Sequence, residues 1–256
     1  MSRRIATLVL AAASVAALAG CDGVVGATMT FNDTEKTKVT DIVLDGGSGD
    51  VLVTTGNVTE TKIKRVVRGG NGSSTTYQLS GTTLTLPTSC GIDCRISYEV
   101  QAPTGVKVRG KVSSGDVTLS DVGAVDITLT SGDVRVDGSA TPVKIKATSG
   151  DVDIVRAPGV TVEATSGNIA AREITGPVTA RVSSGELDLQ LATAASVTAE
   201  VASGDLMLLV PAGSYRINQH VNGSGDAAIH GITNDPKSPN VLDLRARSGD
   251  LTVNAL

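Results

Sequence analysis

Apolar and polar residues alternate over short stretches of this chain, and the alternation changes phase at regular intervals. Residues 143–147 read VKIKA and residues 151–154 read DVDI. Alternation with a period of two predicts strands with one buried face. The two stretches are out of phase, so an uninterrupted strand would place Val152 on the wrong face. We therefore expect a turn or bulge at residues 148–150, which read TSG.

This bend carries a triplet, Ser-Gly-Asp or a close variant, that occurs nine times. From the second copy onward, the steps between copies are 17, 18, 17, 18, 19, 21 and 24 residues. A nearly constant period of this size indicates stacked structural units. The third position is Asp in seven copies, Asn168 in one and Glu186 in one. The copies begin at Ser48, Ser114, Ser131, Ser149, Ser166, Ser184, Ser203, Ser224 and Ser248.

The triplet is predicted to be a structural corner, because glycine can take a positive φ without a Cβ clash. We expect positive φ at most of the glycines from Gly115 to Gly204. The residues predicted to form the corners are Gly49, Gly115, Gly132, Gly150, Gly167, Gly185, Gly204, Gly225, Gly249, Asp116, Asp133, Asp151 and Asp205.

Each unit reads as two short strands and two bends, which predicts an all-β fold and favours a β-solenoid with rungs of 17–18 residues. Stacked rungs, about 4.8 Å apart, would share an apolar column that a single rung cannot bury. An antiparallel meander or sandwich fits the turn spacing too, but the recurring corner favours the solenoid. Between Ser48 and Ser114 the triplet is absent, so the N-terminal third is expected to have less regular strands, continuous with the solenoid.

The N-terminus reads as a bacterial lipoprotein signal. Residues 1–20 place two arginines before an apolar stretch that is too short for a comfortable membrane span, and Leu18-Ala19-Gly20-Cys21 matches a lipobox. We predict cleavage before Cys21, diacylation of its thiol, and a lipid anchor at the extracytoplasmic face of the cell membrane. The alternatives are an ordinary secretory signal and, for the route, twin-arginine export through Arg3-Arg4. Residues 21–37 are expected to be the lipidated cysteine and a flexible tether, and 38–256 a single domain.

Without residues 1–20 the chain carries 20 basic and 26 acidic residues, a net charge of −6. Such a balance argues against nucleic acid as a partner. The two cysteines that remain, Cys90 and Cys94, are expected to close a small loop as a disulfide outside the cytoplasm. Free thiols and a redox pair are the alternatives.

The repeated acids raise an electrostatic question. Stacking would align Asp116, Asp133, Asp151, Asn168, Glu186 and Asp205 in a column, and like charges about 5 Å apart repel by about 1 kcal/mol in water. Asp and Asn side chains that accept backbone N–H bonds within their own turns would offset this, although Glu186 fits poorly. Bridging by calcium is the alternative, but Asn168 interrupts the column and the nonapeptide pattern of calcium-binding β-rolls is absent. We predict turn bonds and no metal site.

Candidate chemistry is sparse. The two histidines, His220 and His230, flank the copy at Ser224 and read as polar surface residues rather than catalytic ones. No nucleophile elbow, phosphate loop or zinc motif appears, so neither catalysis nor a cofactor is expected, although extracellular β-helices include polysaccharide-cleaving enzymes. With no Trp, one Phe and three Tyr, repeated stacking of sugars on aromatic rings is not available.

Several of these motifs together resemble the "putative adhesin" family DUF4097 of β-strand repeat proteins. They are the lipoprotein signal, the SGDV corners, Pro103-Thr104-Gly105 before the regular run, and the final LDLRARSGDLTV. The likeness covers roughly residues 38–256. It implies a right-handed β-helix-like fold at the cell envelope and little chemistry, because fold likeness does not establish function. The expected roles are binding or adhesion to a cell-wall polymer or envelope protein, or envelope-stress sensing through a protein partner, to which some relatives are linked.

Overall fold

The computed structural model describes residues 28–69 and 77–256, and in these residues all regular structure is β-strand. The strands are β1 (Thr28–Glu35), β2 (Asp41–Gly47), β3 (Val51–Gly56), β4 (Thr61–Arg68), β5 (Gln78–Ser80), β6 (Thr83–Gly91), β7 (Cys94–Pro103), β8 (Lys107–Val112), β9 (Val117–Val122), β10 (Ala124–Leu129), β11 (Val134–Ser139), β12 (Val143–Ser149), β13 (Val152–Val155), β14 (Val160–Ser166), β15 (Ile169–Ile174), β16 (Val178–Ser184), β17 (Leu187–Leu191), β18 (Val197–Ser203), β19 (Leu206–Val210), β20 (Ser214–Val221), β21 (Ala227–His230), β22 (Thr233–Asn234), β23 (Val241–Ala246) and β24 (Leu251–Ala255).

Successive strands alternate between two parallel ladders. The first sheet follows the order β6-β2-β8-β10-β12-β14-β16-β18-β23-β20. The second follows β7-β3-β9-β11-β13-β15-β17-β19-β24-β21. Each rung therefore contributes one strand to each sheet, and neighbouring rungs pair in parallel. The predicted solenoid is confirmed, whereas a meander or sandwich would pair neighbouring strands antiparallel.

The core lies between the two sheets, where equivalent apolar side chains stack from rung to rung. In the first sheet, Ile145 aligns with Val162 and then with Ala180. In the second, Ile154 aligns with Ala171. All are almost fully buried, and burying one large aliphatic side chain stabilises a fold by about 1.5–3 kcal/mol. The phase change read from residues 143–154 thus reflects a chain that turns from one sheet to the other while keeping its apolar side inward.

The rungs at both ends do not follow chain order. The rung β2–β3 lies between β6–β7 and β8–β9. The rung β23–β24 lies between β18–β19 and β20–β21. At the C-terminal end the chain forms the outer rung first and then comes back to fill the place inside it, whereas at the N-terminal end the inner rung β2–β3 precedes the outer rung β6–β7 in sequence. The outermost rung at the C-terminal end is β20–β21, with β22 pairing only with the start of β20.

Antiparallel strands close the other end of the stack. β4 pairs with β7, β1 pairs with β4 along its whole length, and β5 pairs with β6. The prediction of a flexible tether over 21–37 is therefore wrong for residues 28–35, and a domain starting at residue 38 starts too late. β1 reads TMTFNDTE, and its half-buried Met29 and Phe31 pack against the core. This edge strand carries only a weak apolar signal, and for that reason it was predicted to be part of a tether.

The predicted signal peptide and Cys21 lie outside the described residues. Within residues 28–69 and 77–256, no helix has the length and hydropathy of a membrane span.

Candidate binding surfaces

The glycines of the triplets stand in a column along one long edge of the solenoid. All six from Gly115 to Gly204 have positive φ, and Gly150, with φ of 116°, is typical. A Cβ on Gly150 would overlap the carbonyl oxygen of Gly132 in the preceding rung. Gly49 differs, since it is not among the positive-φ glycines, but a Cβ there would overlap the carbonyl oxygen of Ile96. The column thus needs glycine both for backbone conformation and for close approach of the rungs.

The side chain at the third position of most triplets binds the backbone of a neighbouring rung. Asp133 Oδ1 accepts the backbone N–H of Asp151 at 2.8 Å, and Asp151 Oδ1 accepts that of Asn168 at 2.7 Å. Six further steps have the same geometry: Asp50 to Asp116, Asp116 to Asp133, Asn168 to Glu186, Asp205 to Asp250, Asp250 to Asp226, and Ser97 Oγ to Asp50 in place of a carboxylate. We call this column the acid ladder.

The acid ladder corrects one prediction. The side chains accept backbone N–H groups, as expected, but from the equivalent residue of the neighbouring rung, 17 or 18 residues away in the regular stretch. Bonds within the same turn, the preferred prediction, are therefore wrong for this column. An amide oxygen accepts as well as a carboxylate, which explains Asn168. Among the described residues the ladder has one gap, because the Glu186 side chain makes no bond to the N–H of Asp205.

The acid ladder forms no cluster of ligands. Within the described residues, no group of three or more His, Cys, Asp or Glu side chains could hold a metal ion. His220 lies on β20 in the first sheet and His230 on β21 in the second, both exposed. The structure therefore places the two histidines on the outermost rung but does not bring them together in one sheet.

The outer face of the first sheet carries a column of alternating charge. Lys146 aligns with Glu163, Glu163 with Arg181, and Arg181 with Glu200. Glu163 contacts Lys146 at 2.8 Å and Arg181 at 3.9 Å, and Arg181 reaches Glu200 at 3.6 Å. The hydrogen bond from Lys146 holds the pKa of Glu163 below its ordinary value. These exposed pairs add little stability each, but they fix side-chain positions along the face.

A hydroxyl column runs beside this charged column. Thr161, Thr179 and Thr198 align in three successive strands. A shallow groove of about 530 Å³ crosses the same face. Its polar lining includes Lys146, Thr165, Ser183 and Arg247. Repeated donors and acceptors thus follow the solenoid axis at the spacing of the strands, about 4.8 Å.

The second sheet carries its own ion pairs, which the sequence reasoning missed. Arg172 reaches Asp188 at 2.6 Å and Asp153 at 3.6 Å. At the bend that follows the second-sheet strands, Arg156 binds Asp137 at 2.6 Å and reaches Asp121 at 3.4 Å. The sequence indicates these ion pairs only by opposite charges that lie one period apart. The pairs can be assigned from these charges only when the register between the rungs is known.

The capped end holds a half-buried cluster around Arg65. This guanidinium lies 4.6 Å from the ring centroid of Phe31 and 5.7 Å from that of Tyr77, and its Nε is 3.1 Å from Asp33 Oδ2. Tyr77 donates a hydrogen bond to Glu35 at 2.6 Å, and burial together with that bond raises the pKa of its hydroxyl. The cluster fixes β1 against the solenoid, because cation–π contacts and a partly buried ion pair act on the same side chain.

Cys90 and Cys94 form a disulfide with a Cα–Cα distance of 5.1 Å. It closes the hairpin between β6 and β7, where Gly91 pairs with Cys94. At the tip of this hairpin, Ile92 is 94% exposed, the most exposed large apolar side chain in the described part of the chain.

Comparison with known proteins supplies the family. The family model Toastrack DUF4097 matches residues 28–254. A crystal structure described as a "putative adhesin" from Bacteroides fragilis is 13% identical, with a TM-score of 0.47, over 91% of this chain and all of that one. One described as a "putative cell adhesion protein" from Clostridium sporogenes is 12% identical, with a TM-score of 0.26, over 89% of this chain and all of that one. Neither likeness is close enough to transfer a function. No curated protein matches the chain. The family match covers most of the sequence, and the chain belongs to the Toastrack DUF4097 family.

Proposed function

We propose that this protein is a non-enzymatic lipoprotein of the cell envelope, and that the outer face of its first sheet binds a cell-wall polymer. The observation that carries the proposal is the pair of parallel columns on that face, one of hydroxyls and one of alternating charges. The hydroxyl column spans three rungs and the charged column from Lys146 to Glu200 spans four. A linear polymer with regularly spaced polar groups could meet equivalent donors and acceptors on several rungs at once, and weak contacts would then add along the chain.

The aromatic residues support binding through hydrogen bonds and charge. Phe31, Tyr77 and Tyr98 belong to the capped end, and Tyr215 is fully buried. None of them lies on the outer face of the first sheet, so sugar rings have no aromatic surface there on which to stack. We therefore expect binding to weaken as salt concentration rises, because ionic contacts between exposed groups are screened.

The test is a pull-down with isolated wall polymer, using the purified protein. Thr179→Val should reduce the bound fraction, since it interrupts the hydroxyl column in the middle. Thr118→Val is a matched control on the outer face of the second sheet. Equal binding by both variants and the unchanged protein would exclude the first sheet as the binding face.

The anchor is tested separately. We expect Cys21 to carry the lipid, because the lipobox places it directly after the cleavage site. Cys21→Ala should release the chain into the medium or block its maturation. If fractionation finds this variant in the membrane in the same amount as the unchanged protein, the anchor proposal is wrong.

A second candidate is sensing through a protein partner at the outermost rung. β20 pairs with β23 on one side, while Ile217 donates its N–H to Asn234 Oδ1 on the other. By the period-two alternation, the N–H of Gln219 points outward as well. A partner could add a strand at this edge. Gln219→Pro would remove that donor, so loss of a cross-linked envelope protein, with polymer binding retained, would favour this candidate.

A further inference from the structure

The hairpin that the disulfide closes extends beyond the acid-ladder edge of the solenoid. Tyr98 of β7 aligns with Val51, the first residue after the Ser48 triplet, so residues 94–97 continue past the corner. The tip beyond them presents Ile92 to solvent, while Asp93 holds a positive φ of 55° and the disulfide limits its movement. A large apolar side chain is thus held at a fixed position at the end of a narrow projection.

The strand register brings the beginning of the folded chain to the same place. Thr28, the first residue of β1, is paired with Arg68, and Arg68 is paired with Arg95. Two strand spacings, about 10 Å, therefore separate Thr28 from Arg95. β1 therefore begins at the hairpin end of the solenoid.

Two basic side chains lie beside the tip of the hairpin. Arg68 and Arg95 are exposed, and among the described residues neither is within ion-pair distance of a carboxylate. Asp93 at the tip offsets one of the two charges, and Asp50 begins the acid ladder along the same edge. Because the acid ladder continues from rung to rung away from the hairpin, any contact with an anionic surface is confined to the hairpin end.

We propose that Ile92 enters the lipid bilayer and that Arg68 and Arg95 bind anionic lipid headgroups, so that the solenoid contacts the membrane through the tip of this hairpin. This inference rests on the proposed lipid anchor at Cys21. Only residues 22–27 separate that cysteine from Thr28, and the seven Cα–Cα steps between them reach at most about 25 Å. The bilayer surface therefore lies within reach of the tip. An apolar residue flanked by arginines suits the boundary between acyl chains and anionic headgroups.

A tryptophan reporter tests the contact, because the chain contains no Trp. The lipidated protein with Ile92→Trp is reconstituted in vesicles that contain phosphatidylglycerol and brominated acyl chains, which quench tryptophan. The emission should shift to the blue and lose most of its intensity. Met207→Trp is the matched control, since Met207 is 48% exposed on β19, several rungs away. Its emission should not change.

The outcomes separate this inference from the proposed anchor. Protein that fails to sediment with the vesicles overturns the anchor and the inference together. Protein that sediments while both tryptophans remain unquenched overturns the inference alone. Adding Arg68→Gln and Arg95→Gln to the Ile92→Trp protein should reduce the quenching in phosphatidylglycerol vesicles more than in phosphatidylcholine vesicles. If the two substitutions reduce the quenching equally in both kinds of vesicle, the arginines do not bind anionic headgroups, and that part of the inference is wrong.

Discussion

Asp133 Oδ1 accepts the backbone N–H of Asp151 across 2.8 Å, so the acid of one rung holds the backbone of the next. The two residues are 18 positions apart in sequence and equivalent in the repeat. The same bond made by Asn168 Oδ1 to Glu186 shows that the acceptor oxygen is the common requirement, since an amide carries no charge. The repeated acid is therefore a connector between rungs, and its negative charge is incidental to that role.

Substitution of Asp133 distinguishes the acceptor from the charge. Asp133→Ala should lower the free energy of unfolding by about 0.5–1.5 kcal/mol, the typical net value of a hydrogen bond. The substitution removes the side-chain oxygen that accepts the N–H of Asp151, so this N–H is left to bind water. Asp133→Asn should retain most of the stability. Urea denaturation measures both. An equal loss for Asn and Ala would show that the charge, rather than the acceptor, is what the position needs.

Calcium gives a second check of the same ladder. We expect coincident thermal melts with calcium and with a chelator, because the carboxylate oxygens already accept backbone N–H groups and the described residues contain no ligand cluster. A decrease in Tm of many degrees on chelation would instead favour a cation that bridges successive rungs.

The glycine column predicts a strong effect at Gly150. Gly150→Val should lower the free energy of unfolding by several kcal/mol, since a positive φ alone costs about 1–3 kcal/mol for a residue with a side chain and the Cβ would overlap the Gly132 carbonyl. Gly56→Val is the control, because a Cβ at Gly56 would meet nothing within 4 Å. If the two variants melt together, close approach of the rungs does not limit this position.

The corner and the solenoid could be predicted from the sequence because both depend on features that repeat locally: the phase change between Ala147 and Val152, and a glycine between them. The partner of Asp133 could not, because a hydrogen bond between rungs depends on the register of two strands, and periodicity within one strand does not fix that register. The order of the rungs at the two ends could not be predicted either. The only trace of it was the lengthening of the last two steps to 21 and 24 residues.

The cluster around Arg65 shows a second limit. Residues 63–67 read IKRVV, and Arg65 takes the inward phase of Ile63 and Val67. A charged residue on an apolar face indicates a partner, but the partners Phe31 and Tyr77 are 34 and 12 residues away in sequence. The local pattern therefore predicts that the guanidinium of Arg65 has a partner. The antiparallel pairing of β1 with β4 is needed to identify that partner.

Tyr98 predicts a loss of stability at high pH. Burial raises the pKa of its hydroxyl to about 12 from the ordinary value of 10.0. The unfolded chain then releases this proton at a lower pH than the folded protein, so stability is fully present below about pH 10 and is lost as pH rises toward 12. The stability lost over this range is roughly 3 kcal/mol at most.

Tyr98→Phe removes that ionisation, so its free energy of unfolding should fall less steeply between pH 9 and pH 11.5. At neutral pH this variant should be slightly less stable, because the hydrogen bond from Tyr98 to the Pro87 carbonyl, 3.0 Å long, is lost. Urea denaturation at each pH provides the comparison. Parallel pH profiles for the two proteins would mean that Tyr98 does not contribute to the alkaline decline.

The gap in the acid ladder predicts a stabilising substitution. Every described rung from Asp50 to Asn168 places a side-chain oxygen on the next backbone N–H, but Glu186, which is one methylene longer, makes no such bond to Asp205. Glu186→Asp should complete the ladder and raise the free energy of unfolding by about 0.5–1.5 kcal/mol. Glu186→Gln is the control, since it keeps the length of Glu186 and removes its charge. If Gln and Asp raise the free energy of unfolding equally, the effect comes from relief of charge repulsion. If Asp alone raises it, the effect comes from the position of the acceptor oxygen.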